Sequence, residues 1–114
     1  MTIKQLQNVL KCKCLTNDAE ETLENNKIES AFACDMLSEV LAFGKGQELL
    51  ITGLTNPQVI ITCKMLDISC ILYVRSKQPN EDFIKLAKEN GIVVLATGHR
   101  MFTACGILYE AGIK

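Results

Sequence analysis

The chain has 114 residues, 48% hydrophobic and 22% charged, which is enough to bury a core and too apolar for a disordered protein. A net charge of -1 gives no general attraction for nucleic acid or anionic membranes, and 5% aromatic content without Trp argues against base-stacking platforms. No apolar run reaches bilayer length and the start, Met-Thr-Ile-Lys-Gln, lacks a signal-peptide pattern, so one cytoplasmic domain over residues 1–114 is expected, with no nucleic-acid or membrane partner.

In chain order, Thr2 opens a helix with Gln5 as its capping-box partner, and Ile3, Leu6, Val9 and Leu10 form its apolar stripe. Residues 12–15 read as a short strand. The stretch from Thr16 to Lys27, with Asp18, Glu20, Glu21 and Glu24, reads as a solvated connection rather than an acidic docking site. Ser30 to Cys34 reads as a strand, with Asp35 as N-cap of a helix carrying Met36, Leu37, Val40 and Leu41, stopped by Gly44 and Gly46. Glu48 to Thr52 is the next strand, followed by a turn and a helix from Pro57 to about Leu66. Cys70 to Val74 lacks polar alternation, as a strand covered on both faces does. Pro79 and Asn80 precede a helix with Phe83, Leu86 and Ala87 inward, ended by Asn90-Gly91. Ile92 to Ala96 is the last strand. The final helix is expected to bury Met101, Phe102, Cys105, Leu108 and Tyr109. Strand and helix alternate with short connections, which predicts an α/β single-domain, mostly parallel sheet with helices on both faces.

Six cysteines, Cys12, Cys14, Cys34, Cys63, Cys70 and Cys105, suggest reduced core thiols because most sit in apolar periodic segments. Cys12-Lys-Cys14 puts two sulfurs on one strand face, with Cys34 a candidate on a neighbouring strand, but the spacing does not match a structural zinc site. No metal or cofactor is expected. A redox or metal-linked partner role for Cys12 and Cys14 stays open as an alternative.

In such a sheet the loops leaving the strand carboxyl ends gather on one rim. They hold Thr52, Gly53, Thr55 and Asn56, then Arg75, Ser76 and Lys77, then Thr97, His99 and Arg100, with Asp35 as the one acid. Five acids instead crowd the region from Asp18 to Glu29. Helix N-termini add unpaired N–H groups, so these ten residues form a candidate rim for a small anion such as a phosphate or nucleotide tail. Asn56 before Pro57 also fits helix capping alone. No Lys-containing phosphate loop is present. Ser76 and Ser38 have no base partner, so no catalytic set is assigned. An enzyme acting on a phosphorylated or acyl substrate with His99 as acid or base is the second alternative.

Leu50-Ile-Thr-Gly53 with the helix 57–66, Cys70-Ile-Leu-Tyr-Val74 with Pro79, and Gly91-Ile-Val-Val-Leu-Ala96 leading into Met101-Phe102-Thr-Ala together resemble the DRTGG domain family. The likeness runs from about Ile28 to the end and loosely through the first helix, as in a stand-alone version. That module occurs in some phosphotransacetylases and CBS-containing inorganic pyrophosphatases, and is related to the N-terminal domain of HPr kinase. The family's Gly-Asp-Arg-Thr turn is Gly53-Leu54-Thr55-Asn56 here, and its Thr-Gly-Gly is Val74-Arg75-Ser76, so Gly53 alone carries over. The resemblance implies a regulatory or interaction module without catalytic activity, paired with itself as a homodimer. The sequence reading is therefore a non-catalytic regulatory module that self-associates and senses a small anionic metabolite, a nucleotide or a protein partner.

Overall fold

The computed structural model describes all residues, Met1–Lys114. Helix α1 (Ile3–Leu10) opens with the capping box: Gln5 N donates to Thr2 Oγ1 at 3.0 Å and Thr2 N donates to Gln5 Oε1 at 2.8 Å. Two of the N–H groups that a helix start leaves unpaired are thereby satisfied. Ile3, Leu6 and Leu10 are buried while Val9 is 42% exposed. At about 100° per residue Val9 lies beyond the edge of the stripe that the other three share.

Strand β1 (Lys13–Cys14) follows, and then helix α2 (Glu20–Asn25). The segment expected to be a connection thus contains a helix. With six residues and Leu23 as its one buried side chain, it is too short to show an apolar period. Tertiary contacts hold it: Leu23 joins the core, and Lys4 Nζ lies 2.6 Å from Glu20 Oε1 in an exposed pair that draws Glu20 below its ordinary carboxylate value.

The remaining elements are β2 (Ala31–Ala33), α3 (Leu37–Phe43), β3 (Leu49–Thr52), α4 (Gln58–Met65), β4 (Cys70–Tyr73), α5 (Glu81–Glu89), β5 (Val93–Ala96) and α6 (Met101–Glu110). They build one sheet in the order β1-β5-β4-β3-β2, with β2 to β5 parallel and β1 antiparallel to β5. The α/β architecture with a mostly parallel sheet is as the apolar strand runs predicted. The two outer strands, β1 and β2, are the shortest and lie at opposite edges, so Cys14 and Cys34 are not on neighbouring strands. No group of three His, Cys, Asp or Glu side chains is arranged around a metal position.

Strand residues alternate between two cores. Leu49, Ile51, Cys70, Leu72, Val93 and Leu95 pack with α1, α2 and α6. Leu50, Ile71, Tyr73, Val94 and Ala96 pack with α3, α4 and α5. The three parallel crossovers step in one direction along the sheet, so right-handed connection places α3, α4 and α5 on one face. After β5 the chain crosses to the other face as α6. The helices that follow β4 and β5 therefore lie on opposite faces of the sheet, and that change of face marks the place where parallel sheets open a crevice. Truncating a fully buried strand residue such as Leu50 costs about 2–5 kcal/mol.

Helix α6 departs from expectation. Ala104 and Leu108 are its buried residues, whereas Phe102 is 90% exposed and Tyr109 60% exposed. The helix is apolar on most of its circumference, so its period does not choose a face. No helix of the chain is long and apolar enough to cross a membrane.

Candidate functional site

The turn after β3 is internally occupied. Gly53 N donates to Asp35 Oδ1 at 2.7 Å and Thr52 Oγ1 donates to the same oxygen at 3.1 Å. Asp35 is not the N-cap of α3; Met36 is, with extended backbone and no side-chain cap bond. At the end of β2 the carboxylate gains two donors from the neighbouring strand end, which outweighs the capping bond the sequence suggested. The N–H group that a phosphate would use at Gly53 is thus already paired with a carboxylate. Thr52 is fully buried, and its hydroxyl also accepts from Leu54 N at 3.1 Å. Tyr73 Oη donates to Leu54 O at 2.6 Å and pins the turn from beneath. Thr55 is half-buried, and Asn56 Oδ1 accepts from Gln58 N at 2.9 Å, so Asn56 caps α4 around Pro57.

The loops after β4 and β5 are tied together. Arg75 N donates to His99 O and Ser76 N to Thr97 O, both at 2.8 Å. Arg75, Ser76 and Lys77 are exposed, as is Arg100 at the N-cap of α6; His99 is half-buried. Thr97 is only 1% exposed. Its hydroxyl donates to Leu10 O at 2.7 Å and accepts from His99 N at 3.3 Å, so it joins the end of α1 to the rim instead of facing a ligand. A β carbon on Gly53 would lie 3.5 Å from Asp35 Oδ1 and 3.7 Å from Arg75 Nη2, so the two opposite charges flank the turn without forming a close ion pair.

Two cations reach this end of the sheet from a part of the sequence that showed no sign of it. Because β1 runs antiparallel to β5, Lys13 lies opposite Ala96, and Lys11 precedes it in a left-handed backbone conformation (φ 53°). Lys11, Lys13, Ser76, Gln78, Thr97 and Gly98 line a hollow of about 110 Å³ with no carboxylate in its wall. Glu39 and the pair Glu81 and Asp82 stand in the first turns of α3 and α5 at the same end, and Glu81 lines a neighbouring hollow that Gln78 also borders. The largest concavity, about 570 Å³, lies at the opposite end and mixes Lys45 with Glu48 and Asp67. There the strands begin and helix carboxyl ends gather, a setting that repels anions.

The thiols divide by burial. Cys12 and Cys63 are pushed up to about 12 by burial, and burial also raises Cys70. A thiol that stays protonated is a poor nucleophile and metal ligand. Cys14 is half-buried, with its Sγ 3.6 Å from both Thr16 Oγ1 and Asp18 Oδ1.

The DRTGG domain family model matches residues 5–111. The chain belongs to the DRTGG domain family. Its fold is similar to that of the regulatory region, comprising CBS and DRTGG domains, of Clostridium perfringens pyrophosphatase, whose crystal structure is complexed with the activator diadenosine tetraphosphate. The TM-score is 0.74 at 21% identity; the match covers 98% of this chain and 47% of that one, so the present chain spans about half of its structural relative. No curated protein sequence matches the chain significantly.

Arg75 (φ 56°) and Ser76 (φ 57°) are two successive left-handed residues in the loop after β4. Glycine adopts that conformation freely, and the chain holds side chains there at a conformational cost. Gly53, by contrast, has ordinary van der Waals room for a methyl group.

Proposed function

We propose that this chain is a non-catalytic regulatory module, one DRTGG domain over residues 1–114, that senses a small phosphorylated metabolite and pairs with a second copy of itself. The carrying observation is the hollow between the ends of β4, β5 and β1, where Lys11 and Lys13 face Ser76 and Gln78 with no carboxylate in the wall. Two ammonium groups beside hydroxyl and amide donors suit phosphoryl oxygens. Arg75 extends the positive surface toward the β3 turn, where Asp35 already holds the Gly53 N–H. The anion site in this reading is therefore displaced from the β3 turn to the β4–β5 crevice. Nucleotides are the first ligands to try, because the similar regulatory region of the Clostridium perfringens pyrophosphatase was crystallised with a dinucleotide activator.

Titration calorimetry at low ionic strength against ATP, ADP, AMP, pyrophosphate and diadenosine tetraphosphate tests the sensing claim. Lys11→Ala with Lys13→Ala is expected to weaken binding about tenfold, equivalent to about 1.4 kcal/mol. Added salt is expected to weaken binding further, since exposed charges are screened. No heat from any of these ligands at millimolar concentration, or equal affinity in the double variant, contradicts the assignment.

A further inference from the structure

We propose that the groove between β1 and α5 holds the nucleoside part of a nucleotide whose phosphates occupy the rim hollow, a conclusion that rests on the anion-sensing half of the proposed function. At about 110 Å³ the rim hollow is too small for a whole ligand, since small-molecule sites span about 300–1,000 Å³. Gln78 lines it and also borders a second hollow of about 320 Å³, so the two meet at that residue. The second hollow has a floor of Leu15, Pro79 and Ile84, with the exposed side chains of Asn17, Glu81 and Lys88 around it. Strand and helix periods build its walls. Lys13 pairs with Ala96, and Leu15 N donates to Val94 O at 2.8 Å. Val94 and Ala96 belong to the core beneath α5, so Lys13 and Leu15 lie on that face, while Cys12 and Cys14 lie on the other. Opposite them, Glu81, Ile84 and Lys88 recur at helical spacing on one side of α5. Both walls therefore descend from the rim together.

The chemistry changes in steps along this descent. At the rim, Lys11 and Lys13 suit phosphoryl oxygens. Next comes Glu81, whose carboxylate repels a further phosphate but accepts from hydroxyl groups, as an acidic residue does for ribose in dinucleotide-binding folds. Glu81 and Lys88 have no charged partner within the chain, where the sole ion pair is Lys4–Glu20. Leu15 and Ile84, both half-buried, then offer apolar surface to the faces of a flat ring. Asn17, held in a left-handed conformation (φ 50°), presents an amide of the kind that pairs with the edge of adenine. Phosphate, hydroxyls, apolar ring and polar edge follow in that order in a nucleotide. A sugar phosphate leaves the apolar floor uncovered, and an acyl phosphate leaves Asn17 and Glu81 without partners.

The test compares ADP with pyrophosphate and ribose 5-phosphate by titration calorimetry on the full chain, with circular dichroism confirming that each variant folds. Pyrophosphate is at least as highly charged as ADP near neutral pH, so a preference for ADP reads the nucleoside and not the charge. ADP is expected to bind at least about tenfold tighter than either comparison ligand. Asn17→Gly keeps the left-handed backbone accessible and is expected to weaken ADP about fivefold, leaving pyrophosphate within about twofold. Ile84→Ala is expected to weaken ADP about threefold with the same indifference of pyrophosphate. Amide shifts caused by ADP are expected to reach residues 15–17 and 81–88, whereas those caused by pyrophosphate stop at 11–13 and 76–78. Equal affinity for ADP and pyrophosphate, or ADP binding untouched by both variants, overturns the groove while the rim hollow stands. ADP shifts that never reach 15–17 and 81–88 overturn it equally. Binding of none of the three ligands removes the anion-sensing reading and the groove with it.

Discussion

Replacing Thr97 by Val removes one hydroxyl at nearly constant shape. In the folded chain that hydroxyl donates to Leu10 O at 2.7 Å and accepts from His99 N at 3.3 Å, at a residue 1% exposed. Valine orphans both backbone groups. A buried polar group left without its partner costs about 1–3 kcal/mol. The Leu10 carbonyl, against a buried neighbour, takes the upper part of that range, and the N–H of half-buried His99 the lower. The expected loss is about 3–4 kcal/mol, which for a chain of this size lowers Tm by roughly 12–17 °C. Urea unfolding followed by circular dichroism measures it, with Thr97→Ser as the control that keeps the hydroxyl and loses one methyl. A Thr97→Val loss under about 0.5 kcal/mol, or a Thr97→Ser loss as large as that of Val, refutes the reasoning, because the effect must track the hydroxyl. The consequence reaches the site, since Leu10 O is the anchor from which Lys11 and Lys13 run to the hollow.

Other outcomes follow from the same geometry. Cys12 and Cys63, each pushed up to about 12 from an ordinary 9.0, hold their protons in the folded state when the unfolded chain has lost them. Their contribution is fully present below pH 9 and is lost as pH rises from about 9 toward 12, by about 1.4 kcal/mol per pH unit for each thiol. Urea melts between pH 8 and 11 check this, and a flat profile contradicts it. Asp35→Asn removes the negative charge beside Arg75 and is expected to tighten anion binding about threefold by calorimetry, equivalent to about 0.7 kcal/mol; weaker binding means that the carboxylate organises the site rather than competing with the anion. Ser76→Gly relieves a left-handed non-glycine residue and is expected to raise stability by up to about 1 kcal/mol in thermal melts, the relief of strain exceeding the added freedom of the unfolded chain. A net loss of stability contradicts that balance.

The parallel core was legible in the sequence because its strands are short apolar runs punctuated by turn residues, and because Thr2 with Gln5 and Asn80 announce two helix starts. Other features depend on contacts that no local pattern encodes. Helix α2 has one buried residue and three glutamates, so its helicity is decided by what Leu23 and Lys4 touch. Asp35 stands where a cap is common, yet its partners lie 17 and 18 residues away. Thr97 looked like a ligand donor in a rim loop and is consumed by a bond to Leu10, 87 residues distant. Lys11 and Lys13 join the rim only because a two-residue strand pairs antiparallel to β5. A helix as uniformly apolar as α6 conceals its inner face, which is why Phe102 and Tyr109 were expected inside.

The account turns on where an anion meets this sheet. Amide chemical-shift mapping of the labelled chain during titration with ATP addresses that directly. The account predicts progressive shifts clustered at residues 11–13, 75–78 and 96–99, smaller changes at 53–56, and loss of the cluster in the Lys11→Ala, Lys13→Ala variant. Shifts centred on the β3 turn, on the opposite hollow around Lys45 and Asp67, or nowhere at millimolar ATP contradict it.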